Sequence, residues 1–255
     1  MTAAAASGTR SGGRVPPLVL LAIAGAWALA VVAEVTGTSH ALHEVSSLRG
    51  ARLWATLVLF LVAWQAMTAA MMLPSSLPLI RLFDAASRGQ DRPACARAAF
   101  LGGYALVWTA FGAVAFLGAV GLHRLLDPLV RPWVVAGGVL TLAGLFQFSD
   151  LKDKCLSKCR APGPYLVAHY RRGAAGGFRL GAGHGLFCLG CCWALMLVMF
   201  AAGVAMLWWM AALTAVMVYE KTGRRGRELT PWVGVALLVL AAVAFAHLPW
   251  IGLFE

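Results

Sequence analysis

Six stretches of this chain, residues 15–33, 53–80, 98–123, 132–149, 180–219 and 229–254, each run for at least 18 residues without an Asp, Glu, Lys or Arg. The apolar core of a bilayer, about 30 Å thick, is crossed by roughly 20 helical residues at about 1.5 Å rise each. A chain that is 61% hydrophobic and 12% charged is far from the balance of a soluble domain, so lipid is its expected solvent. The fifth run is too long for one crossing. Its 40 residues would reach about 60 Å as a helix, so it reads as two crossings joined by a tight turn near Ala201, Ala202 and Gly203. The expected fold is all-α: a polytopic transmembrane helix bundle of about seven spans. They lie near 17–34, 53–73, 98–120, 132–149, 180–201, 204–220 and 231–249, within a single transmembrane domain over 17–250.

Cation placement orients these spans. Of 21 Lys and Arg residues, 17 fall at the N-terminus or in the segments 74–97, 150–179 and 220–230, and only Arg49, Arg52, Arg124 and Arg131 lie in the alternate loops. Cytoplasmic loops keep the excess of positive charge, so seven spans with a cytoplasmic N-terminus fit, whereas six would leave the 220–230 cluster outside. A net charge of +11 confined to such loops suits a bilayer with an anionic inner leaflet. No nucleic-acid motif accompanies it, and no nucleic-acid partner is expected.

Residues 1–16 are small, basic and unpatterned, and read as a disordered cytoplasmic lead. The rival is a cleavable signal peptide ending near Val31, Val32 and Ala33, for which the apolar run is long. Pro74 and Pro78 are expected to end the second span, because proline clashes with the preceding turn. Residues 150–179 read as a cytoplasmic basic loop, with turns at "APGPY" and "RRGAAGGF". Gly181 and Gly185, in GxxxG spacing, read as a close helix contact.

Sulfur is concentrated in the fifth span. In "GAGHGLFCLGCCWALM", His184, Cys188, then Cys191 or Cys192, then Met196 follow one another at three- and four-residue steps and so share one helix face. Counted from Arg179, the thiols sit about 13 to 20 Å into the helix, close to mid-bilayer. The second span brings Met67 and Met71 to one face, with Met72 beside them, at a comparable depth. A third element, "DLKDKCLSKCR", places Cys155 and Cys159 four apart on a short cytoplasmic helix among lysines and an arginine, whose charge favours the thiolate. Thiolate and thioether donors select soft ions: Cu(I) above all, with Zn or another soft metal where more thiolates or mixed S and N donors converge.

Packing alone also accounts for each residue singly. Cysteine behaves as a small hydrophobe and methionine fills irregular gaps, and His184 can bridge two helices by a hydrogen bond. Glu220 and Lys221 close the sixth span; a solvated helix end is the default, and a partly buried Glu220 acting as a gate is the alternative. His40 and His43 beside Glu44, in "HALHE", read as a solvated loop, and Cys95, His123, His169 and His247 stand alone.

Four segments occur together and in order: "MTAAMMLP" (67–74), "LKDKCLSKCR" (151–160), "GLFCLGCCWALM" (185–196) and "EKTGRRG" (220–226). In these the chain resembles the bacterial family of uncharacterised, predicted metal-binding integral membrane proteins. The resemblance covers about 60–226 and places Met71, Met72, Cys155, Cys159, Cys188, Cys191, Cys192 and Glu220 at the family's motif positions. It implies a multi-pass protein of the bacterial inner (plasma) membrane. The expected function is non-enzymatic: binding a soft metal, foremost Cu(I), within the bundle, for handling or for transfer with a metal donor or acceptor protein. One alternative is a membrane thiol–disulfide redox protein using Cys155 and Cys159. The other is a structural or assembly subunit whose cysteines only pack.

Overall fold

The computed structural model describes residues 15–36, 51–126, 132–201 and 207–246. The lead up to residue 14, the "HALHE" motif with His40, His43 and Glu44, the expected turn at Ala202 and Gly203, and His247 lie outside the described residues. Among the described residues every regular element is an α-helix: α1 (Pro17–Val35), α2 (Ala51–Ser87), α3 (Pro93–Leu126), α4 (Pro132–Phe146), α5 (Asp150–Arg160), α6 (Pro162–His169), α7 (Gly173–Ala201), α8 (Leu207–Thr222) and α9 (Gly226–Phe245).

Each of the seven expected spans has a helix over it. Among the described residues five helices, α1, α2, α3, α7 and α9, are long and apolar enough to cross a membrane alone, and α4 with α5, bent by 65° at their junction, make a sixth if counted as one span. The described part of α8, 16 residues, is about 24 Å long. Outward faces carry large apolar side chains such as Val114, Leu145, Trp208 and Trp232, while Cys, Met and Ser residues and three charged groups lie inside. Such a distribution is compatible with a multi-pass membrane protein, because apolar side chains facing lipid cost nothing there.

Two expectations change. Pro74 and Pro78 do not end the second helix: α2 continues through both to Ser87. A proline inside a helix frees the carbonyl four residues back, and for Pro74 that is Ala70, whose oxygen instead accepts the Trp27 indole N–H from α1 at 3.1 Å. A neighbouring helix thus repairs the broken ladder, as bundles in lipid allow. The second change concerns 150–179: a short helix carries Cys155 and Cys159 as expected, but α6 and the first turns of α7 stand where turns at "APGPY" and "RRGAAGGF" were expected. Ser149 caps α5 by accepting from the Lys152 amide, with Asp150 and Asp153 in the first turn and Lys158 and Arg160 in the last, each charge suiting the helix dipole. Pro162 opens α6 at a position that tolerates proline. Gly173 opens α7 with φ of +83°, a conformation that side chains disfavour.

α7 is the centre of the bundle. It packs most extensively against α3 and also meets α4, α5 and α8. More than half of its apolar window, 56%, is buried, against 11% in α1. Glycines make this closeness possible: a β-carbon on Gly177 or Gly181 would collide with the Ala96 or Phe100 carbonyl of α3, and one on Gly103 with the Phe178 carbonyl of α7.

Candidate metal centre

The three cysteines of α7 point inward. Cys188, Cys191 and Cys192 are buried to 1% exposure or less, as are Met71 and Met72 of α2 and Met196 of α7. Helices α2, α5, α7 and α8 each bring one or more polar or sulfur-bearing side chains to this point. From α5, Cys159 reaches Cys191, with the two sulfurs 3.9 Å apart. From α2, the Met72 thioether lies 3.5 Å from the Cys192 sulfur. α8 contributes Lys221, whose Nζ donates to Cys188 Sγ at 3.1 Å and to Ser75 Oγ at 3.2 Å, and lies 3.9 Å from both Cys192 Sγ and Met72 Sδ.

Local helix geometry sets these positions. Residues 188, 191 and 192 share a face, and the Cys188 carbonyl accepts from the Cys191 thiol at 3.1 Å and the Cys192 thiol at 2.7 Å. Gly190 admits α5, since a β-carbon there would stand 2.5 Å from the Cys155 sulfur. Cys155 is partly exposed one turn before buried Cys159. The cations expected around this pair do not gather on it: Lys154 and Lys158 are exposed, and Lys152 is buried in an ion pair with Glu220 at 2.7 Å. Arg160 donates to the Glu220 carbonyl and, at 2.8 Å, to the Gly223 carbonyl, closing the end of α8.

Other candidates fall around the sulfurs. His184 is buried, with its Nε2 3.1 Å from Ser76 Oγ and its ring stacked on Tyr104 at 5.7 Å. It therefore bridges α7 to α2 and α3. Tyr104 joins the site itself, its hydroxyl 3.1 Å from Cys188 Sγ. Met67, Met71 and Met196 belong to the same core cluster as the cysteines. Tyr165 of α6 covers Gly183, and burial with Cys159 nearby pushes its phenol up to about 12, so it stays a donor to the Leu180 carbonyl at 3.4 Å. His169 stacks on Tyr165, and Cys95 is exposed.

Glu220 is buried at 2% exposure, not a solvated helix end. One carboxylate oxygen meets Lys152 and the other, Oε1, has no hydrogen-bond partner among the described residues. Lys221, Tyr104 and Ser75 were not expected at the site. The signal for Lys221 was its adjacency to Glu220 at the end of an apolar run, where two charges so close to a span need internal partners. Nothing in the pattern of α3 singled out Tyr104.

Among the described residues no three His, Cys, Asp or Glu side chains gather closely enough to cage a metal. The donor set is instead one close thiol pair and, beside it, two thiols and a thioether. A bundle of long apolar helices with thiols and thioethers turned to its centre defines a helical protein suited to handling a soft metal. The chain belongs to the PpoB2 copper chaperone family, whose model matches residues 61–244, more than two thirds of its length. No curated protein and no solved structure matches it.

Proposed function

We propose that this protein is a copper chaperone of the bacterial inner membrane, with a cytoplasmic N-terminus, that takes up Cu(I) between Cys159 and Cys191 and passes it to or from a partner protein. The 3.9 Å separation of those sulfurs carries the reading. Two sulfurs bound to one ion at about 2.3 Å lie roughly 3.8 Å apart at a tetrahedral angle and roughly 4.6 Å apart in a straight line. The pair is therefore already spaced to share an ion. Cys155, partly exposed on the same helix, is the point of entry, and Cys188, Cys192 and Met72 form the inner donor set. Met67, Met71 and Met196 line the core beside it, and His184 holds α7 to α2. A thiol–thioether set suits Cu(I), whereas structural Zn takes four S, N or O donors in a tetrahedron. Glu220 acts through Lys152 as a strut between α8 and α5.

The same sulfur distance supports a second reading, thiol–disulfide exchange between Cys159 and Cys191. Met72 separates the two, because a dithiol relay has no use for a thioether 3.5 Å from Cys192. Anaerobic titration with Cu(I), followed by X-ray absorption, should give a sulfur-only first shell. Cys191→Ser should lower the affinity about 100-fold or more, since even groups that only support a metal ligand are worth 10- to 100-fold. Met72→Leu, which keeps size and apolarity, should weaken retention of copper and leave thiol reactivity unchanged. Protein that contains no metal and ignores added Cu(I) would sink the proposal.

A further inference from the structure

Lys221 stands in a place where a metal ion would be expected. Its Nζ is 3.1 Å from Cys188 Sγ, 3.9 Å from Cys192 Sγ and 3.9 Å from Met72 Sδ, with Ser75 Oγ at 3.2 Å. The side chain is buried at 6% exposure. The carboxylate next to it in sequence, Glu220, is directed to Lys152. An ammonium is a compact point charge with three donors, and a buried charge needs partners. Here those partners are three sulfurs and a hydroxyl drawn from α2 and α7.

We infer that the Lys221 ammonium is a resident cation of the inner sulfur nest, which Cu(I) must displace to be held by Cys188, Cys192 and Met72. This rests on the copper reading above and goes beyond it by giving the two sulfur sites different strengths. The outer pair, Cys159 and Cys191, has no ammonium within bonding distance among the described residues and binds first. The inner nest binds in competition with the chain's own cation, because two positive charges within a few ångströms repel in a medium of low dielectric. The consequence is release: an ion in the nest is always opposed by a tethered competitor, which cannot diffuse away and returns as the ion leaves. A chaperone needs to let its cargo go, and this arrangement supplies a means that a bare thiolate site lacks.

The opposite role, in which Lys221 neutralises a copper–dithiolate complex from alongside, requires the ammonium to remain where it is when the ion arrives. The two roles give opposite signs in one experiment. Competition between the purified full-length protein and a Cu(I) chelator should be measured with Cys159→Ser as the background, so that the inner nest dominates. Adding Lys221→Leu, which removes the charge without supplying a further soft donor, should raise affinity about tenfold or more. Equal or weaker binding overturns the inference. If Lys221→Leu fails to fold, amine acetylation of the wild-type protein followed by mass spectrometry decides. Lys221 should react at least threefold faster in the copper-loaded than in the copper-free protein, and an unchanged or slower reaction overturns the inference. Wild-type protein that binds no Cu(I) at all would instead remove the copper reading itself, so the two failures are distinguishable.

Discussion

At the scale of single residues, the buried charges distinguish this core from an ordinary apolar one. Lys152 and Glu220 form a 2.7 Å ion pair at 1% and 2% exposure, joining α5 to α8 across the edge of the sulfur cluster. Removing one partner of such a pair leaves the other charge stranded, which costs about 3–5 kcal/mol, while replacing both with apolar groups of similar volume is often neutral. Glu220→Gln should therefore lower thermal stability in detergent sharply, and Glu220→Met combined with Lys152→Met should restore most of it. If the double variant keeps its stability but loses copper retention, the pair's role is to hold α5, and with it Cys159, in place. The sequence exposed the donors here better than their counter-charges. Cys188, Cys191 and Cys192 announce themselves by spacing, whereas Lys221 looks like any basic residue at a helix end until α2 and α7 are seen to enclose it.

At the scale of helices, the site depends on how closely α3, α5 and α7 approach. Gly177 and Gly181 put α7 against the backbone of α3, and Gly190 lets α5 bring its cysteines in. Overpacking a tight contact costs about 1–3 kcal/mol. Gly181→Ala should thus destabilise the protein by at least that amount, because the added methyl meets the Phe100 backbone and not a side chain that can turn away. Gly102 is the control, with nothing among the described residues within 4 Å of an added β-carbon. There, Gly→Ala should be neutral or stabilising by up to about 1 kcal/mol, since alanine has the higher helix propensity. Unfolding of the two variants beside the wild type would check both signs. The GxxxG spacing of Gly181 and Gly185 made a close contact legible in the sequence, but the partner helix was not, because spacing describes one surface only. The course of α2 through Pro74 was illegible for a similar reason: its repair comes from Trp27, 43 residues away.

At the scale of the whole molecule, the apolar runs made the helical class legible, since length without charge is a property of each segment alone. The 65° bend that turns α5 back onto the bundle is not such a property. It depends on Gln147, Phe148 and Ser149 closing turns onto Gly144, Leu145 and Phe146, and it turns α5 back against α7, where Cys159 meets Cys191. The orientation proposed from the placement of charge can be tested on exposed positions. Cys95 is exposed in the first turn of α3, and Glu228, at 72% side-chain exposure, lies in the first turn of α9. If the N-terminus is cytoplasmic and seven segments cross, both positions face the cytoplasm. A maleimide too polar to cross membranes should label Cys95, and a cysteine introduced by Glu228→Cys in a Cys95→Ser background, in inside-out vesicles but not in intact spheroplasts. Should residues 180–219 cross once instead of twice, the cysteine at 228 would be labelled from outside while Cys95 stayed inside. Such a result would put Glu220 and Lys221 on the opposite side of the bilayer from Lys152, against the 2.7 Å ion pair that joins α8 to α5.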